Sequence, residues 1–253
     1  MKESNGSPVE RARQAARTPL GRRVYKQARA AEAQDGFRVL LDEKPLVTPA
    51  KAPVILPARR LAQSIAAEWR KQGERIEPAT MPLTRLAFTI IDRVARARVA
   101  VVDAIVAYAG SDLLCHRAGE PEGLIARQTA AWDPILDWAA EECGIRLAPV
   151  AGVMPRTQPT ETLNIFRQEI ENESDFVLGA LADMTALTGS AILALAVLRG
   201  RLSVQEGWAA AHVDEDWQIA QWGEDAEAAK RRAARWRDMQ AAARMAALVL
   251  SDA

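Results

Sequence analysis

At Pro57 the hydrophobic period of this chain changes, and helical patterning dominates from there on. Upstream, Phe37, Val39 and Leu41 alternate with Arg38, Leu40 and Asp42, a period of two that belongs to a strand. The stretch "GFRVLLDEKPLVTP" reads as two strands around an Asp-Glu-Lys-Pro turn, with Pro45 at the turn or on a sheet edge. "APVILP" (52–57) is a third short strand candidate. Downstream, "ARRLAQSIAAEWRKQG" sets Leu61, Ile65 and Trp69 four residues apart, which places them on one helical face.

The helical reading continues to the C-terminus. "LTRLAFTIIDRVARARVAVVDAIVAYAG" predicts two helices or one bent one. Asp133 followed by Pro134 is a helix-start signal, an N-cap carboxylate with proline at the first helical position. After Thr160 the pattern predicts helices over 160–171, 174–187, 189–199, 203–222 and 224–250, with Gly200 and Gly223 as breaks. The implied class is α+β by segregation: a small N-terminal β-containing domain, then a larger all-helical C-terminal domain. The expected divisions are a disordered lead-in over 1–20, strands plus helix over 21–80, and helices over 81–253.

A chain of 253 residues can bury a substantial core. Lys+Arg and Asp+Glu are both 33, so no net field draws the chain to nucleic acid or to an anionic membrane. The N-terminal stretch has no apolar run, and Glu3 and Glu10 count against a transit peptide. "LTGSAILALAVL" (187–198) is too short for a membrane span, which takes about 20 apolar residues, and reads as a buried helix. These features predict a soluble, cytoplasmic protein without membrane insertion.

Sites of chemistry are sparse. There is no phosphate loop, Gly-rich dinucleotide turn, nucleophile elbow or paired-Cys zinc site. Cys115 and Cys143 lack metal-like spacing, and neighbours such as Cys115 and His116 point apart on regular structure. The basic run Lys230, Arg231, Arg232, Arg235 and Arg237 is expected to be a solvated helix face. A nucleic-acid adaptor built on 230–237 is the rival reading, tested by salt-dependent binding.

Residues 212–225, "HVDEDWQIAQWGED", raise the sharpest question. If 208–222 is one helix, Glu215 falls at about 340° from Trp208, beside Trp222, and Asp216 at about 80°. Both lie in the apolar sector, whereas Asp214 falls in the polar one and is expected to be solvated. A carboxylate among indoles must be hydrogen-bonded, paired with a cation, or open to a partner. Glu215 can therefore be an internal salt bridge to an Arg of another helix, or part of a recognition surface with flanking tryptophans. With His212 or Asp216 in a cleft it can also serve acid–base catalysis. Wheel angles do not separate these readings.

Several blocks in order along the chain resemble the assembly chaperones of the F-type ATP synthase. They are "LDEKPLVTPAKAPVILP", "EWRKQGERIEPATMPLTRLAFTIIDRV", "YAGSDLLCHRA", "RQTAAWDPILDWA" and "DEDWQIAQWGED". The resemblance runs from about Arg23 to at least Asp225. It implies a non-enzymatic protein without cofactor, monomeric when free. Such a protein holds the unassembled alpha subunit of the catalytic sector until the beta subunit replaces it. Carried over from the family, the partner-binding positions are Glu215, Asp216, Gln218, Trp222, Gly223, Trp69 and Arg85. Phe88 departs from the small polar residue expected after "LTRLA". The resemblance together with the absent targeting segment favours a bacterial cytoplasmic member over one of the mitochondrial matrix.

Overall fold

The computed structural model describes residues 20–152 and 157–252. The lead-in expected over 1–20 lies, but for Leu20, outside the described residues. The described residues divide into two compact units, one running to Arg93 and including those from Leu248 on, the other lying within Val94–Ala247. The sequence places the division after residue 80. The structure carries the first unit on to Arg93 because the helix Pro82–Thr89 packs on the helix Arg59–Arg70 of that unit.

The first unit is built on a three-stranded antiparallel sheet in the order β2 (Ala28–Ala33), β3 (Gly36–Leu41), β4 (Lys44–Pro45), with β1 (Leu20–Arg22) paired to β5 (Arg75–Ile76). The β3–β4 turn forms where the sequence predicts it. Asp42 takes φ 52 there, and its carboxylate accepts from the Lys26 and Gln27 amides. Pro45 sits on the edge strand, where its missing N–H is harmless. The "APVILP" segment contributes single bridges, Leu56 to Phe37 and Pro53 to Val47, rather than a full strand. Prolines at both ends leave too few amides to extend the ladder.

Helix α1 (Arg59–Arg70) lays Leu61, Ile65 and Trp69 against β2 and β3. Its Glu68 carboxylate accepts from the Leu83 and Thr84 amides and from the Thr84 hydroxyl. Those amides open α2 (Pro82–Thr89), so Glu68 caps a helix distant in sequence. Burial pushes the Glu68 pKa above the usual carboxylate range despite these bonds.

The second unit is helical apart from a parallel pair, β6 (His116–Arg117) and β7 (Val150–Ala151). A π-helical turn over Ile90–Val94 follows α2, so the long apolar stretch is an interrupted helix, resuming as α3 (Arg98–Gly110). Then come α4 (Glu122–Glu142), α5 (Thr160–Ile170), α6 (Asp175–Thr188), α7 (Ala191–Leu198), α8 (Val204–Ala211), α9 (Val213–Trp222) and α10 (Ala226–Leu250). Helix α7 is the apolar "AILALAVL", and its residues 191–196 are all fully buried. None of the described helices is long and apolar enough to cross a membrane.

Asp112 anchors this core. It is fully buried, and its two carboxylate oxygens accept from the Leu114 amide and from the Ile192 amide in the first turn of α7. Helix α4 corrects the start signal at Asp133-Pro134, because it runs unbroken from Glu122. Pro134 and Ala130, whose carbonyl loses its bond, are both exposed, so water can satisfy that group. Asp133 pairs instead with Arg117 at 2.7 Å.

Candidate functional site

The acidic run lies on α9, and its location has a simple cause. Helix α8 opens with a capping box between Ser203 and Glu206 and ends at Ala211. His212 leaves helical geometry at φ −119, ψ 18, and the chain restarts as α9. Asp214, Glu215 and Asp216 therefore occupy the first turn of a new helix, beside unsatisfied amides and the positive end of its dipole. Gly223 ends α9 at φ 86, its amide returning to the Ile219 carbonyl at 2.8 Å.

The break at His212 overturns one expectation. With 208–222 taken as one helix, Asp214 faces solvent and Glu215 with Trp222 lies among apolar neighbours. In the structure Asp214 faces inward, and its carboxylate accepts from Gln128 Nε2 at 2.8 Å. Gln128 is itself buried, and its Oε1 accepts from the Ala118 amide. Trp217, one turn on, lies against Gly123, with the Arg127 guanidinium 4.8 Å from its ring centre. Trp132 of α4 donates its indole N–H to the Ala210 carbonyl at the end of α8. Asp216 is held by Arg232 of α10 at 2.5 Å.

Glu215 and Trp222 are left on the other side. The Glu215 side chain is 38% exposed, and Trp222 is 79% exposed, although an indole normally seeks cover. The nearest ionisable neighbour in contact with Glu215 is His212, with Nε2 3.7 Å from Oε2. His212 is buried, stacks on Trp208 at 3.9 Å between ring centres, and donates Nδ1–H to the Trp208 carbonyl. Burial, outweighing that bond and the Glu215 charge, holds its pKa below the ordinary imidazole value. At neutral pH the imidazole is uncharged and its Nε2 carries no proton to share. Glu215 thus faces a neutral ring beyond hydrogen-bond distance, which is neither a salt bridge nor an acid–base pair. Arg232, the arginine an internal salt bridge calls for, is hydrogen-bonded to Asp216, and the Glu215 charge acts on it only from a distance.

The remaining positions divide between the units. Gln218 and Gly223 are exposed beside Trp222. Trp69 and Arg85 belong to the first unit. Trp69 is 5% exposed, meets Tyr25 edge-on at 5.7 Å, and its carbonyl accepts from the Tyr25 hydroxyl. Burial leaves it no free ring face. Arg85 is half-buried on α2.

Other readings lose ground on geometry. Burial pushes the Cys115 thiol up to about 12, far from the range of a nucleophile. Among the described residues no group of three His, Cys, Asp or Glu is placed to hold a metal ion. A hollow lined by Cys115, His116 and Gln158, among others, involves no residue of α9. The basic run on α10 is dispersed. Arg232 binds Asp216, Lys230 pairs with Glu227, and Arg235 donates to the Leu187 carbonyl.

Gly123, Gln128 and the inward role of Asp214 escape a sequence reading. The signal that was available is Gly123 near the start of a helix, where a missing Cβ marks a close approach. A Cβ there would lie 2.8 Å from the Trp217 ring. Gly123→Ala is therefore expected to displace Trp217 and destabilise the second unit by about 1–3 kcal/mol. Thermal unfolding with near-ultraviolet circular dichroism checks this, and an unchanged spectrum and midpoint would refute it.

Residues 22–140 match the family model described as ATP12 chaperone protein. That match ends before α9. The chain is also similar to the crystal structure of Atp12 from Paracoccus denitrificans, at 41% identity and a TM-score of 0.86. The similarity covers 90% of this chain and 98% of that one. An aspartate-to-lysine mutant of the Paracoccus protein gives 40% identity and a TM-score of 0.85 over the same shares. The Atu1473 protein of Agrobacterium tumefaciens is similar at 46% identity and a TM-score of 0.87, over 97% of this chain and 92% of that one.

Proposed function

The chain belongs to the ATP12 chaperone family, and from that premise we propose that it is an assembly chaperone for the catalytic sector of the F-type ATP synthase. It binds the unassembled alpha subunit and shields the interface that the beta subunit later occupies. An unassembled subunit exposes a larger apolar patch than a monomer tolerates in water, and a cover for it must be removable. The work is done by surface complementarity rather than by bond chemistry, and without a cofactor. The reading places the free protein in the bacterial cytoplasm as a monomer.

The observation that carries this reading is the face of α9. There Trp222 is 79% exposed and Glu215 is half-exposed without a cation in contact. Partner-binding roles are proposed for Glu215, Gln218, Trp222 and Gly223, with Asp216 bracing the helix against Arg232. Arg85 is the proposed contribution of the first unit, and Trp69 supports it from the core.

The test is light scattering of isolated alpha subunit on dilution from denaturant, with and without this protein and in the absence of ATP. Suppression of aggregation is expected near a one-to-one ratio. No suppression at molar excess would sink the proposal.

A further inference from the structure

The first unit carries a charge imbalance that the chain as a whole does not. Segments 22–26 and 70–77 are tied together by Arg23. Its amide donates to the Glu74 carbonyl, and its guanidinium to the Gln72 and Lys26 carbonyls. The two segments hold Arg22, Arg23, Lys26, Arg70, Lys71 and Arg75 against two carboxylates, Glu74 and Glu77. Over the full sequence 33 cations meet 33 carboxylates, so the excess is local.

Backbone pairing makes the excess sharper. Antiparallel β1 and β5 set Arg22 directly opposite Arg75. Like charges at opposed positions lie on one side of a ladder and destabilise it. Both arginines are exposed, and among the described residues neither side chain has a hydrogen bond or an ion pair. The same holds for Lys71. Arg23 and Arg70 are bonded, but to carbonyl oxygens, which leave their charge uncancelled. Asp42 lies beside Lys26, with its carboxylate taken by the Lys26 and Gln27 amides.

Val24 sits within this cluster at 92% exposure. A single exposed valine is ordinary on a protein surface. This one is held rigid amid uncancelled charge. Next to it Tyr25 is buried, with its hydroxyl on the Trp69 carbonyl and the Arg23 guanidinium 4.6 Å from its ring centre. On the far side of Tyr25, the Lys26 amide donates to Asp42 at 3.0 Å.

We propose that this cluster is a docking site for an acidic segment of the client, whose carboxylates meet Arg22, Arg75 and Lys71 and whose apolar side chain covers Val24. The client's identity rests on the assembly-chaperone reading, and the site lies apart from α9 and from Arg85. Two neighbouring guanidiniums suit a carboxylate, which each can bind through paired N–H donors. A bound carboxylate also relieves the repulsion across the β1–β5 ladder. Because Arg23 and Asp42 already fix the backbone here, little ordering is left to the binding step. Nucleic acid fits less well, since single strands are held by stacking and Tyr25 is buried. An anionic membrane calls for more apolar surface than one valine supplies.

The experiment measures binding of isolated alpha subunit at two salt concentrations to wild type and three variants. They are the double variant Arg22→Gln/Arg75→Gln, Val24→Ser, and a control double variant Lys44→Gln/Arg60→Gln. The control removes the same charge from exposed positions elsewhere in the first unit. Arg22→Gln/Arg75→Gln is expected to weaken binding ~10-fold at low salt and to flatten its salt dependence. Val24→Ser should weaken it a few-fold, and the control should bind like wild type. The thermal midpoint of Arg22→Gln/Arg75→Gln should match or exceed that of wild type, because a like-charge contact has gone. A fall of more than ~5 °C would assign the two arginines to the fold and overturn the proposal. Wild-type affinity in that variant, or an equal loss in the control, would overturn it as well. So would binding to phosphatidylglycerol vesicles or single-stranded DNA that exceeds binding to alpha subunit and needs Arg22 and Arg75. If the wild type fails to bind alpha subunit, the chaperone reading falls, and a capped peptide alternating glutamate and leucine decides the cluster alone. Peptide binding that needs Arg22 and Arg75 would support an acidic-segment site, and no binding would overturn it.

Discussion

Replacing Trp132 with alanine will lower the unfolding free energy by about 3–5 kcal/mol, the range for emptying a buried aromatic site. Trp132 is fully buried on α4, so little around it can collapse into the space. Two further contacts fail with it. Its indole N–H bonds to the Ala210 carbonyl at 2.8 Å, and the Arg117 guanidinium lies 5.2 Å from its ring. Arg117 in turn holds Asp133 and the Leu114 carbonyl. A domain is stable by only about 5–15 kcal/mol, so this loss is a large share of the whole. Ala210 is two residues before the His212 break, so the variant should also loosen α9 and weaken client binding. Trp132→Phe keeps most of the volume and loses the hydrogen bond, at about 1 kcal/mol plus the smaller ring. Urea unfolding followed by circular dichroism separates the two. Trp132→Ala within about 1 kcal/mol of wild type would contradict the packing described.

The second large effect is a pH dependence centred on Asp112. Full burial raises its pKa from 3.8 to about 6, against the pull of bonds from the Ser190 side chain and the Leu114 and Ile192 amides. Between those values the folded protein binds a proton that the unfolded chain has released. Stability from this group is therefore fully present below about pH 4 and lost as pH rises to about 6. A rise of that size in the carboxyl pKa corresponds to about 3 kcal/mol. Asp112→Asn cannot titrate, so its stability relative to wild type should improve by about 2–3 kcal/mol between pH 4 and pH 7. Unfolding free energies of both proteins at these two pH values measure this difference directly. A constant gap between the two proteins would rule out Asp112 as the titrating group.

Much of the fold was legible because it rests on local periodicity. The alternation around Val39, the four-residue spacing of Leu61, Ile65 and Trp69, and the apolar run of α7 each name their element and its buried face. The segregated α+β class follows from their order. Less legible was anything that depends on a distant partner. Glu68 looks like a solvated helix acid until the α2 amides are brought to it. Asp133-Pro134 has the form of a helix start, yet upstream residues continue the helix and solvent takes up the carbonyl that proline leaves free.

The site shows the same division. By itself the sequence determined that the run from Asp214 to Asp216 is helical and rich in carboxylates, and that Glu215 and Trp222 share a side. Both follow from the angle per residue within one helix. Which side faced inward was decided only by the tertiary structure. A helical wheel carries its phase along the chain, and His212 at φ −119 and ψ 18 breaks that phase between Trp208 and Asp214. After the break, contacts that no spacing encodes set the rotation of α9: Gln128 on Asp214, Gly123 beneath Trp217, and Arg232 on Asp216. They turn Asp214 inward and leave Glu215 and Trp222 facing the solvent.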